Sequence, residues 1–65
     1  MSALLPLIAS VHEAATTTWT ATRALVRATA EGSPERRKAL AIDEAAARVI
    51  EGCVRMAAEM REVGR

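Results

Sequence analysis

Sixty-five residues with a single cysteine leave room for one domain and no internal disulfide. Below about 70–80 residues a lone core rarely contributes more than ~3–5 kcal/mol, so oligomerisation is the remaining means of support. Nine basic and eight acidic side chains give a net charge of +1, which weighs against a general polyanion binder, while 51 % apolar residues with one Trp and no Tyr or Phe form a helix-favouring, small-side-chain composition in which strands are not expected.

The apolar run Ala3 to Ala9 is far short of the ~20 residues a membrane helix needs and is interrupted by Pro6. It also lacks the basic flank of a secretory signal, and Cys53 reads as a small core residue in a reducing compartment. A cytoplasmic location without membrane contact is the expectation. The first helix is predicted to start between Ala3, capped by Ser2, and Pro6, which suits a first turn. From there Leu4, Leu7, Val11, Ala14, Thr18, Ala21, Leu25 and Ala28 follow the 3-4 spacing of an amphipathic helix, flanked by Ile8, Ala15, Trp19, Thr22 and Val26. The weak part is Thr16 to Thr22, where β-branched residues surround Trp19 and lose rotamer freedom in a helix.

Glu31-Gly32-Ser33-Pro34-Glu35 is the sharpest local signal. Gly32 suits a left-handed residue that ends a helix, Ser33 an N-cap, Pro34 the first helical position, and Glu35 places negative charge by the new N-terminus. A connection this short favours an antiparallel hairpin, with helix 1 over about 4–31, a turn at 32–33, helix 2 over about 34–63, and Gly64 and Arg65 frayed. In helix 2 the apolar 3-4 spacing runs unbroken through Ala39, Ile42, Ala46, Val49, Cys53, Met56, Met60 and Val63. Glu44 with Arg48 and Glu51 with Arg55 form i, i+4 pairs on its polar face.

One neighbour does not cover this much apolar surface, since Ile50, Ala57, Ala45, Leu40, Ala47 and Val54 flank the main stripe of helix 2. The fold expected is therefore all-α: an antiparallel two-helix hairpin that dimerises, with two-fold symmetry, into a four-helix bundle. The self-association core is assigned to Leu7, Val11, Ala14, Thr18, Ala21, Leu25, Ala39, Ile42, Ala46, Val49, Cys53, Met56 and Met60. Within it, Ala14, Ala21 and Ala28 are expected to face Ala39, Ala46 and Cys53 across the hairpin, allowing close approach.

Trp19 at the stripe's edge either closes the side of the bundle or anchors another protein, as Trp often does at interfaces. Gly52 inside helix 2, a costly place for glycine, is either merely tolerated there or lines, with Ala45 and Ala41, a small-residue groove that admits another helix. Trp19, Val26, Ala45, Ile50 and Gly52 make up the partner-binding candidates. Arg36, Arg37 and Lys38 form the sole basic run and are the candidates for phosphate contact, although Glu35, Glu44 and Glu51 dilute it. His12 and Cys53 alone suggest chemistry, and a bundle metal site wants Glu and His three residues apart on two or more helices, a pair missing here. No phosphate loop, triad or Cys/His cluster occurs, so neither enzymatic activity nor a catalytic site, metal or cofactor is expected.

These features point to a non-enzymatic, homodimeric protein-protein interaction module that regulates, inhibits or tethers an unidentified protein through a helix face, in the helix-in-groove mode. Compact proteins of this kind suit antiactivator and inhibitor roles, including those encoded by phages and mobile elements. In length, hairpin plan and heptad spacing the chain is also similar to the Rop family of plasmid RNA-binding proteins, a resemblance that implies a dimeric four-helix bundle gripping paired RNA loops. It rests on the plan of the whole chain without a shared motif, so no functional residues follow from it. A structural subunit of a larger helical assembly is the third possibility.

Overall fold

Two α-helices, α1 over Leu4–Ala28 and α2 over Pro34–Val63, pack against each other as a hairpin. The computed structural model describes residues 3–63; the cap expected of Ser2 and the fraying expected of Gly64 and Arg65 lie outside the described residues. The hairpin measures 49 × 14 × 11 Å. Its radius of gyration, 15.1 Å, exceeds the ~11 Å of a compact domain this long, because a lone helix pair is only one helix deep.

Pro6 falls in the first turn of α1, where its missing N–H costs no helical bond. The threonine-rich stretch stays helical. Thr16 Oγ1 donates to the His12 carbonyl at 2.8 Å and Thr20 Oγ1 to the Thr16 carbonyl at 3.0 Å, so these hydroxyls bond to the preceding turn instead of competing with it.

α1 stops at Ala28, three residues short of the predicted end. Thr29 turns extended (φ −98°, ψ 147°), and both its N–H and its hydroxyl bond the Val26 carbonyl, at 3.2 and 2.8 Å. Gly32 therefore does not terminate the helix. It occupies the third position of a turn closed by the Ser33 N–H on the Ala30 carbonyl at 3.1 Å, with φ 79°, a conformation that favours glycine. Ser33 is the N-cap of α2: its Oγ accepts the Arg36 N–H at 3.1 Å, with Pro34 first in the helix and Glu35 in its first turn.

Across the hairpin, Thr22 Oγ1 lies 3.2 Å from Asp43 Oδ1 and Arg36 Nη1 donates to the Thr29 carbonyl at 3.1 Å. In both pairs the residue numbers add to 65, which defines the register of the two helices. The line of contact in α1 runs through buried Ile8, Ala15 and Thr22 with half-buried Leu5, His12, Trp19 and Val26 between them. In α2 it runs through buried Ala39 and Ala46 and half-buried Asp43, Ile50, Cys53, Ala57 and Met60. The contact in α1 lies one residue beyond the predicted stripe at every position, so Ala14, Ala21 and Ala28 do not face Ala39, Ala46 and Cys53. All three are exposed. The apolar sector of α1 is wider than one line of contact, and the pair meets along its edge, where the Thr22 hydroxyl reaches Asp43. Of the two expected ion pairs, Glu51–Arg55 closes at 3.5 Å, whereas Glu44 and Arg48 do not reach ion-pair distance among the described residues.

Candidate association surface

Because α1 and α2 are antiparallel, a local two-fold axis perpendicular to the hairpin plane relates them, and residues offset equally from the contact line emerge on the same side. In α1 the residues one position before the contact line include Leu4, Leu7, Val11 and Leu25, exposed by 49, 61, 50 and 46 %. In α2 they include Ile42, Val49 and Met56, exposed by 48, 45 and 47 %. Both sets form one apolar face. Along it runs a trough of about 410 Å³ lined by Val11, Thr18, Ile42 and Val49 among others. It continues into one of about 330 Å³ that shares Val11 and Val49 and reaches Leu7 and Met56.

The residues assigned to self-association divide between two surfaces. Ala39, Ala46, Cys53 and Met60 lie in the contact between the two helices, while Leu7, Val11, Leu25, Ile42, Val49 and Met56 lie on the exposed face, with exposed Ala14, Thr18 and Ala21 among them. Of the partner-binding candidates, Trp19, Val26 and Ile50 are half-buried in the helix contact and do not stand on a free flank. Ala45 and Gly52 are exposed and line the two troughs, and a Cβ on Gly52 would meet nothing within 4 Å. In the basic run Arg37 and Lys38 are exposed, but Arg36 is half-buried and holds the Thr29 carbonyl.

Trp19 is covered on one ring face by the Arg23 guanidinium, 4.6 Å from the ring centroid, a cation–π arrangement. Its Nε1 is buried and finds no acceptor among the described residues. The polar link between Thr22 and Asp43 escapes sequence reasoning, although a clue exists: Asp43 stands four residues after Ala39 and three before Ala46, a charged side chain at the spacing of the helix contact. The Thr22 hydroxyl has one proton, shared between the carboxylate and the Trp19 carbonyl at 3.0 Å.

On the opposite side of the hairpin, His12 and Cys53 line a cavity of about 380 Å³ together with Val54 and Arg61. No group of three metal-ligating side chains occurs among the described residues. Leu40 and Val54 are exposed on that side by 45 and 57 %. No helix among the described residues is long and apolar enough to cross a membrane. The arrangement offers surface for packing, and comparison with protein-family models, curated proteins and solved structures gives no match for this chain.

Proposed function

We propose that this chain is a non-enzymatic protein-protein interaction module that acts as a homodimer of hairpins, a four-helix bundle, and regulates, inhibits or tethers a partner protein through a helix face. The observation that carries this reading is the apolar face shared by both helices, and the area that a compact dimer would bury can be weighed. The hairpin exposes 5080 Å², whereas a compact protein of 6.9 kDa exposes about 4,000 Å². A compact protein of twice the mass exposes about 6,600 Å², so bringing two hairpins to that figure buries roughly 3,500 Å² in total. That lies within the ~2,000–5,000 Å² of obligate homodimers. A second copy packed to ordinary compactness would thus bury an area usual for a stable dimer, which supports it as the occupant of the apolar face, and the outward side carrying Leu40 and Val54 is left for a further protein.

Sedimentation equilibrium at micromolar concentration tests the reading. The expected mass is two chains, and a compact, cooperatively melting species of one chain refutes it. A second reading, RNA binding, draws on Arg37 and Lys38, which stand exposed near the turn. It requires affinity that falls steeply with salt and is lost in Arg37→Glu.

A further inference from the structure

Resting on the dimer reading above, we infer that the two hairpins pack head to tail, with their turns at opposite ends and a two-fold axis passing beside Val49. Two antiparallel hairpins placed face to face by a two-fold axis have two arrangements. An axis along the helices puts both turns at one end and lays α1 over the partner copy's α2. An axis across them puts the turns at opposite ends and lays α1 over the partner copy's α1, and α2 over its α2.

The face itself distinguishes these. Toward the helix ends away from the turn it presents Leu4, Leu7, Val11 and Met56, each about half exposed. Toward the turn it presents Thr18, Ala21 and Ala28, with Leu25 and Ile42 as the larger side chains. With both turns at one end, the large layers stack on large layers and the small on small, which crowds one half and opens voids in the other; protein interiors tolerate neither. Head to tail, full overlap of two 49 Å hairpins centres the axis midway along both helices. Val11 then meets Ala21 of the second copy, Leu4 meets Ala28, Leu7 meets Leu25, and Val49 meets its own counterpart. The Leu7–Leu25, Val49–Val49 and Ile42–Met56 pairs match large with large, but each half of the bundle now combines the larger set of one copy with the smaller set of the other, which evens the packed volume along it.

Charge favours the same arrangement. From Arg23 to Lys38 there are five basic residues (Arg23, Arg27, Arg36, Arg37, Lys38) and two acidic ones (Glu31, Glu35). Two turns at one end bring these like-charged regions together, and head-to-tail packing separates them by the length of the molecule.

The test is nuclear Overhauser spectroscopy on the unaltered protein, with its mass measured by sedimentation at the same concentration. Leu7 and Leu25 of one chain are ~27 Å apart at ~1.5 Å per residue, too far for a cross-peak within a hairpin. A Leu7–Leu25 methyl cross-peak, retained in an isotope-filtered spectrum of mixed labelled and unlabelled chains, is the expected result. A dimer lacking that cross-peak, with Leu7 instead contacting Met56 of the other chain, overturns head-to-tail packing and leaves the dimer standing. A single-chain mass overturns the dimer itself.

Discussion

Val49→Asp tests association through the concentration dependence of its effect. In the hairpin Val49 is 45 % exposed, and Val and Asp have similar helix propensities, so a single chain loses only what the covered part of the side chain contributes, ~0.8–1.7 kcal/mol, a loss that does not depend on protein concentration. In the proposed dimer the exposed part of each Val49 is covered. Full burial of such a side chain contributes ~1.5–3 kcal/mol, so covering 45 % contributes ~0.7–1.4 kcal/mol per copy, or ~1.4–2.7 kcal/mol for both. Losing that alone weakens the dimer about 10- to 100-fold at ~1.4 kcal/mol per decade. Two carboxylates facing each other across the axis add to the loss. Sedimentation equilibrium over a concentration series reads the dissociation constant, and far-ultraviolet circular dichroism at high concentration checks that the helices persist. An unchanged dissociation constant refutes the placement of Val49 in the interface.

Ala46 is 7 % exposed within the hairpin and Ala21 is exposed on the apolar face, so Ala46→Leu is expected to lower stability by ~1–3 kcal/mol at every concentration, while Ala21→Leu alters melting only where dimers form. Thermal melts at two concentrations distinguish them. Gly52→Ala meets nothing within 4 Å in the hairpin and removes a helix-interior glycine, so it is expected to stabilise a single hairpin by ~0.8–1 kcal/mol; a fall in melting temperature confined to concentrations at which dimers form would mean that the second copy packs closely over this position. Ser33→Ala removes the acceptor of the Arg36 N–H and is expected to cost ~0.5–2 kcal/mol, measured by urea denaturation. A loss much smaller than that would show that the cap is redundant with the Ala30–Ser33 turn.

The hairpin and the start of α2 are legible in the sequence because each rests on local chemistry. Ser33 and Pro34 act through their own backbone positions, and a 3-4 apolar spacing declares a helix wherever it is buried. The direction of each helix's contact is not legible, because apolar periodicity reports the centre of a buried sector and two neighbours divide that sector between them. In α1 the sector spans Leu7, Ile8, Val11 and Ala15, and the intramolecular contact takes Ile8 and Ala15 while Leu7 and Val11 turn outward. The end of α1 is hidden for another reason. Gly32 is the conspicuous breaker, but the Thr29 hydroxyl, bonded back to the Val26 carbonyl, marks the stop without any composition signal. Among the site candidates, Gly52 and Ala45 stand out as small and are exposed, whereas Trp19 combines an apolar body with a place inside the hairpin that spacing alone does not separate from a free flank.

The division of side chains between the two surfaces links folding to association. Among the described residues the buried apolar side chains are Ile8, Ala15, Ala39 and Ala46, three of them alanines, and the buried polar Thr22 lies among them. Alanine burial supplies little hydrophobic stabilisation, and a net intramolecular hydrogen bond such as Thr22 to Asp43 contributes only ~0.5–1.5 kcal/mol. Such a contact sets the register of two helices better than it holds them together. Ile8 is the one larger aliphatic side chain buried among the described residues, whereas Leu4, Leu7, Val11, Leu25, Ile42, Val49 and Met56 stand about half exposed on the apolar face. If a second copy covers them, ordering of the hairpin and dimer formation draw on the same surface. Under the proposed dimer, stability rises with protein concentration by mass action, and a melting temperature that does not change with concentration would refute the covering of Leu7, Val11, Val49 and Met56 by a second copy.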